Sequence, residues 1–257
     1  MKTIELSIAK IAVEPIYAAK VADENTILVF LHEALGSIQQ WKSFPQDLCN
    51  ALHLNGIVYE REGYGNSSPL KKQRDEHYLH DYALRELPEL LEKILSPEKK
   101  VVLVGHSDGG TIALLFAAKF PQKVKAIVSM AAHVIVEKET LEGIEPAIQA
   151  FEAGKLDGLR RFHGEKTDDL FYAWAHTWNL PAFKTWNICK DIHGVVAPAI
   201  ILQGKNDQYG TTKQVELIAE SITGESTTML LEHCGHIPHL EQGTRVISEI
   251  SRWYSAI

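Results

Sequence analysis

Between residues 101 and 113 the chain reads Val-Val-Leu-Val-Gly-His-Ser-Asp-Gly-Gly-Thr-Ile-Ala, an apolar run of buried-strand character that breaks into a serine between glycines and resumes as a helical pattern. A strand that passes straight into a helix must leave its sheet by a sharp bend, a junction typical of parallel sheets covered by helices. Gly105 and Gly109 stand two residues either side of Ser107, where a side chain would collide with a tight turn. A serine on such a bend is lifted clear of the sheet and set beside the free N–H groups that open the helix. That is where a hydroxyl nucleophile and a developing oxyanion both need to be. The G-x-S-x-G pentapeptide recurs by chance, so the strand before it and the helix after it carry the weight.

The rest of the chain agrees with that architecture. Short β-branched runs recur at 26–31, 56–60, 101–104, 124–130, 198–202 and 226–231. Between them, 41–52, 76–95, 111–119, 211–221 and 241–254 carry apolar residues at three-to-four spacing. This alternation predicts an α/β fold, a mostly parallel sheet with helices on both faces. Residues 4–11 and 16–21 alternate apolar with polar around Ala12 to Pro15, which predicts an antiparallel hairpin at one edge and a sheet of about eight strands.

One interval departs from the pattern. From 134 to 192 there is no convincing strand, only helix-like pieces punctuated by glycine and proline, so this stretch is expected to be a helical cap inserted over a core built from 1–133 and 193–257. Its aromatic residues should mostly pack the insertion itself, with a minority, among Trp174, Trp178 and Phe183, lining an apolar pocket above Ser107.

Charge and cysteine usage narrow the partners. A net charge of −7, with no lysine or arginine run longer than about a pair, argues against nucleic acid and for a small, partly apolar molecule. Cys49, Cys189 and Cys234 are widely spaced, with neither C-x-x-C nor a zinc-type cluster, which fits packing residues in a reducing compartment. The first residues read as a strand rather than a signal peptide, no stretch is apolar enough to span a bilayer, and a cytoplasmic location is expected.

In an open parallel sheet, ligands gather where loops leave the carboxyl ends of the strands. Two late loops carry suitable partners for Ser107: Gln203 to Gly210, containing Asp207, and Glu232 to His239, containing His236. In the order serine, aspartate, histidine, Ser107 attacks, His236 takes its proton and returns it to the leaving group, and Asp207 supports the imidazolium. Asp191 and Glu232 compete as the acid, but neither stands in a turn directly after a predicted strand. His106 is expected to pack under the bend, His133 could enter the pocket, and His163, His176 and His193 are expected to be surface or packing residues.

These motifs together resemble the α/β-hydrolase fold superfamily over essentially the whole chain. The resemblance rests on His32-Glu33-Ala34-Leu35-Gly36-Ser37, on Arg61-Glu62-Gly63-Tyr64-Gly65-Asn66-Ser67, on the serine bend, and on Gly204-x-x-Asp207 with Gly235-His236-x-Pro238. It implies an eight-stranded sheet with an antiparallel second strand and a cap after the sixth. It also implies an oxyanion hole made of the Ala34 and Asp108 N–H groups. Of the three histidines in the last loop, only His236 follows a glycine and precedes a proline by two, as the family loop does. Some relatives use an aspartate nucleophile, but a nucleophile at Asp108 would put His106 where the turn wants a small residue, so Asp108 is expected to offer only its N–H, with its side chain pointing outward.

Glu33 departs from the family pattern, which has glycine there. Its carboxylate is expected to turn away and pair with a cation or cap a helix, the alternative being that it receives a polar substrate group. No second histidine follows at H-E-x-x-H spacing, so no metal is expected, and the family implies no cofactor. The function expected is cleavage of a small carboxylic ester through an acyl-enzyme on Ser107. Thioester cleavage, C–C bond hydrolysis, a lyase reaction and a ligand-binding signalling role on the same fold stay open, as do the natural substrate and oligomeric state.

Overall fold

Runs rich in valine, isoleucine and leucine become the central strands of the computed structural model, which describes residues 1–257. The strands are β1 (Lys2–Glu5), β2 (Lys10–Ile16), β3 (Thr26–Leu31), β4 (Gly56–Glu60), β5 (Lys100–His106), β6 (Val124–Met130), β7 (Ala199–Gly204) and β8 (Ser226–Leu231). They form one eight-stranded sheet in the order β1-β2-β4-β3-β5-β6-β7-β8. All pairings from β4 to β8 are parallel, whereas β1 with β2 and β2 with β4 are antiparallel.

The edge hairpin exists, but not where the sequence pattern puts it. Its turn is Leu6 to Ala9, closed by the Leu6 N–H on the Ala9 carbonyl at 2.8 Å, and Ala12 to Pro15 lie inside β2. Pro15 looks like a breaker in sequence. It is tolerated because β2 outruns β1 there, β1 ending opposite Val13, so the strand has an open edge on that side.

In chain order the helices are α1 (Phe44–Leu52), α2 (Tyr78–Asp81), α3 (Leu87–Ile94), α4 (Asp108–Lys119), α5 (Lys138–Glu152), α6 (Arg160–His163), α7 (Thr167–Trp178), α8 (Thr212–Ser221), α9 (Pro238–Glu241) and α10 (Gly243–Tyr254). A π-helical turn, Tyr82–Glu86, joins α2 to α3 just before Pro88, which has no N–H to continue the α pattern. Strand residues of opposite pleat feed two cores. Leu28, Phe30, Val102 and Val104 pack with α1 and α10, whereas Ile27, Val29, Leu31 and Leu103 pack with α3, α4 and α8.

Between β6 and β7 the chain leaves the sheet. It folds as α5, α6 and α7 with short 3-10 turns, and its two ends are held together by an antiparallel bridge between Ile135 and Asn187 and by the Ile188 N–H on the Val134 carbonyl at 2.9 Å. Phe183, Trp186 and Trp178 pack against one another in this segment, Phe183 stacking on Trp186 with ring centroids 5.2 Å apart.

Candidate active site

Ser107 closes β5 and opens α4 with φ 53° and ψ −119°, a conformation L-residues rarely adopt. The bend is possible because its neighbours lack side chains. A Cβ on Gly105 would lie 2.2 Å from the Gly109 carbonyl oxygen, and one on Gly109 would lie 1.9 Å from that of Leu31. The turn is locked from within by the Gly110 and Thr111 N–H groups on the Ser107 carbonyl, at 2.8 and 3.1 Å.

Two loops at the carboxyl ends of β7 and β8 bring the other groups to it. They close on each other at Gly204, where a Cβ would meet the Cys234 and Gly235 carbonyl oxygens at 2.2 Å, and the Asn206 N–H donates to the Cys234 carbonyl at 2.8 Å. His236 Nε2 thereby stands 3.0 Å from Ser107 Oγ, and His236 Nδ1 stands 2.9 Å from both carboxylate oxygens of Asp207. Facing a carboxylate, Nδ1 carries the hydrogen, which leaves the Nε2 lone pair toward the serine. The Asp207 side chain is 1 % exposed and that of His236 11 %, so the pair is largely shielded from water. Burial alone would push the Asp207 carboxyl up, but the hydrogen bond and charge of His236 outweigh it and hold the group below its ordinary value. The competing acids lie elsewhere: Asp191 beside His80 and Glu232 paired with Lys205, both exposed.

Two backbone N–H groups near Ser107 are left without acceptors, and peptide geometry says why. Arg61, fully buried, donates from Nη1 to the His32 carbonyl at 2.6 Å and from Nη2 to the Glu33 carbonyl at 2.9 Å. In a trans peptide N–H and C=O point opposite ways, so drawing the Glu33 carbonyl to Arg61 turns the Ala34 N–H away from it. Ala34 lines the same cavity as Ser107, and its N–H meets no acceptor within the protein. Asp108 is the first residue of α4, so its N–H has no intrahelical acceptor either.

Two side chains depart from expectation. Asp108 does not point outward: it is 2 % exposed, and its Oδ2 accepts from the Tyr78 hydroxyl at 2.8 Å. Glu33 neither pairs with a cation nor caps a helix. Its Oε2 accepts from the Leu35 N–H at 2.5 Å, it borders the cavity, and burial pushes its carboxyl above the ordinary value.

The cavity over Ser107 has a volume of about 90 Å³. Of the pocket residues expected from sequence, Glu33, His133, Trp174 and Trp178 line it. Phe183 does not: it is fully buried against Trp186 and Trp178 as part of the core. Thr140, Ile144 and Tyr209 line the cavity without having been anticipated, and the Tyr209 ring lies 4.9 Å from that of His236. Tyr209 follows Asp207 by two in a loop already singled out, which was the available signal; Thr140 and Ile144 sit in an ordinary amphipathic helix and gave none.

The remaining histidines take supporting places. His106 packs beneath the bend, with Nε2 donating to the His236 carbonyl at 2.7 Å. His163 bridges the Gly65 N–H and the Leu35 carbonyl, while His176 and His193 are exposed. Cys49, Cys189 and Cys234 are free thiols. No group of three or more His, Cys, Asp or Glu side chains is placed to hold a metal ion, and no helix is long and apolar enough to cross a membrane.

The profile of the family described as alpha/beta hydrolase fold matches residues 26–185. Among curated relatives, the chain is 22 % identical to the proline iminopeptidase of Saccharolobus solfataricus, covering 93 % of this chain and 87 % of that one. It is 23 % identical to the serine hydrolase BPHL of Mus musculus, covering 94 % and 85 %. Among solved structures, the enol-lactonase of Burkholderia xenovorans LB400 superposes with a TM-score of 0.74 at 13 % identity, over 99 % of this chain and all of that one. At that identity the likeness concerns the fold alone.

Proposed function

Starting from the fact that the chain belongs to the α/β-hydrolase fold family, we propose that it is a serine hydrolase that cleaves a small carboxylic ester through an acyl-enzyme on Ser107. The observation that carries this reading is the line Ser107 Oγ, His236 Nε2, His236 Nδ1 and Asp207, at 3.0 and 2.9 Å, beside two N–H groups free to receive an oxyanion. Ser107 Oγ attacks the ester carbonyl as its proton passes to His236 Nε2, and the carbonyl oxygen takes its charge between the Ala34 and Asp108 N–H groups. Asp207 stabilises the imidazolium. The tetrahedral adduct then collapses, the imidazolium protonates the departing alkoxide, and water repeats the sequence on the acyl-enzyme.

In this reading residues 134–192 are a cap over the core of 1–133 and 193–257, contributing Thr140, Ile144, Trp174 and Trp178 to the pocket. A cavity of about 90 Å³ suits a short acyl group. Ser107→Ala should abolish turnover of short p-nitrophenyl esters together with labelling by a fluorophosphonate probe. Labelling that survives the substitution would refute the assignment.

A second reading, cleavage of an amide next to a free amino terminus, is favoured by one observation: the Glu33 carboxyl at the cavity wall, placed where an ammonium group could meet it. The relatives named as proline iminopeptidases belong to the same comparison. Turnover of prolyl p-nitroanilide exceeding that of any short ester would favour this reading over the first.

A further inference from the structure

In the loop that leaves β3, the successive carbonyls of His32, Glu33, Ala34 and Leu35 are each held by a side chain from elsewhere in the chain. Arg61 donates to the first two, the Tyr64 hydroxyl donates to that of Ala34 at 2.9 Å, and His163 Nε2 meets that of Leu35 at 2.9 Å. The Leu35 carbonyl accepts from no other group. Arg61 and Tyr64 stand in the turn after β4, but His163 ends α6, in the segment that leaves the sheet between β6 and β7. The loop carrying the Ala34 N–H is therefore fastened from two sides, by the core and by that segment.

Both ring nitrogens of His163 are committed. The Gly65 N–H lies 3.0 Å from Nδ1 and can only donate, so Nδ1 presents its lone pair. The Leu35 carbonyl can only accept, so Nε2 carries the hydrogen. At 2 % exposure the ring is buried, and burial holds it below its ordinary value, in the neutral form that both bonds require. Lys166, three residues on, donates from Nζ to the carbonyls of Tyr64, Gly65 and Ser67 at 3.2, 2.5 and 2.6 Å. These bonds divide into two jobs. Those from Lys166 and from His163 Nδ1 seat the segment on the turn after β4, whereas the one from His163 Nε2 reaches the loop that bears Ala34.

An oxyanion donor works only if its N–H already points at the place where charge develops, and a misplacement of about 1 Å can cost roughly a hundredfold in rate. Resting on the reading of Ser107 as an esterase nucleophile with the Ala34 N–H in its oxyanion hole, we propose that His163 is a positioning residue for catalysis. Through the Leu35 carbonyl it holds the Ala34 N–H in place, so that the hole is complete only while the 134–192 segment is seated.

Two amide substitutions separate the two bonds. In His163→Gln the amide reaches about as far as Nε2 and can donate to the Leu35 carbonyl. In His163→Asn it reaches about as far as Nδ1 and can accept from the Gly65 N–H. Each variant loses one hydrogen bond, so both should melt below wild type by similar amounts. On p-nitrophenyl acetate they should differ. The asparagine variant should lose roughly tenfold in kcat with KM within about twofold, because acylation and deacylation both pass through an oxyanion and slow together, and the glutamine variant should recover most of that loss. Inhibition by 1,1,1-trifluorobutan-2-one, whose adduct with Ser107 carries the same oxyanion, should weaken in the asparagine variant by the factor lost in kcat/KM. Equal kcat in the two variants, or a loss confined to KM or to the melting temperature, overturns the role of His163 and leaves the esterase standing. Absence of wild-type turnover, or turnover that persists in Ser107→Ala, removes the esterase reading and this role with it.

Discussion

Tyr78 donates its hydroxyl to Asp108 Oδ2 at 2.8 Å, and Trp178 Nε1 donates to the same Tyr78 oxygen at 2.9 Å. A residue of the helical segment above the site is thus joined, through one tyrosine, to the residue whose N–H is proposed to receive the oxyanion. Tyr78→Phe keeps the ring but leaves the buried Asp108 carboxylate without this donor, a loss of about 1–3 kcal/mol. Unfolding should shift to lower temperature, and kcat should fall severalfold with little change in KM, because the oxyanion forms only after the substrate is bound. A lower melting temperature with kcat intact would show that Tyr78 supports the fold and not the position of Asp108.

The bend at Ser107 makes a prediction about stability that runs against activity. At φ 53° and ψ −119° any residue with a Cβ is strained by roughly 1–3 kcal/mol, and glycine is not. Ser107→Gly and Ser107→Ala should both be inactive. The glycine variant should nevertheless be the more stable by roughly 1–2 kcal/mol in denaturant unfolding, the added freedom of its unfolded chain offsetting part of the relief. A glycine variant less stable than the alanine one by about 0.4–1 kcal/mol, the unfolded-chain term alone, would mean that the bend carries no strain.

How far the sequence could be read depended on whether a residue's role was written in its neighbours. That Ser107 and Asp207 meet was legible because each sits in a turn whose glycines have one geometric reason to be there: Gly105, Gly109 and Gly204 all face carbonyl oxygens at about 2 Å from any Cβ, whereas His236 was marked out by Gly235 and Pro238, the pattern of the family loop. The hairpin was misplaced because its real turn, Leu6 to Ala9, contains neither glycine nor proline, whereas the proline that looked like a turn is inside β2. The outward Asp108 and the pocket-facing Phe183 were missed for a different reason. Whether a side chain at the edge of a helix faces a cavity or a core depends on partners such as Tyr78 and Trp186, distant in sequence, and no local pattern records them.

Glu86 should make stability fall as pH rises. It is fully buried, with one oxygen accepting from the Glu62 N–H at 2.8 Å and the other unpartnered, and burial pushes its carboxyl up to about 8. Between the ordinary carboxyl value near 4.5 and about 8, the native state keeps a proton that the unfolded state has released, so the unfolding free energy declines through that window. Glu86→Gln can still accept from the Glu62 N–H but does not titrate. Relative to wild type it should therefore gain roughly 2–3 kcal/mol in urea unfolding between pH 5.5 and pH 8. A constant difference across that range would show that Glu86 is ionised in the folded protein.

Trp174 and Phe183 are aromatic residues of one segment with opposite expected consequences. Trp174 lines the cavity over Ser107, and Phe183 is stacked on Trp186 within the core. Trp174→Ala removes a wall of a space of only about 90 Å³, so it should move the acyl preference in a p-nitrophenyl series from short chains toward hexanoate or octanoate. The added methylenes bury apolar surface where the indole was, each worth roughly 0.8 kcal/mol, so kcat/KM should rise about tenfold per two carbons until the new space is filled. Phe183→Ala should cost about 3–5 kcal/mol of stability through the cavity it opens, and leave the order of preference along the series as in wild type. If instead Phe183→Ala shifted the chain-length profile and Trp174→Ala did not, the acyl group would enter from the Trp186 side, and the pocket assignment would have to be reversed.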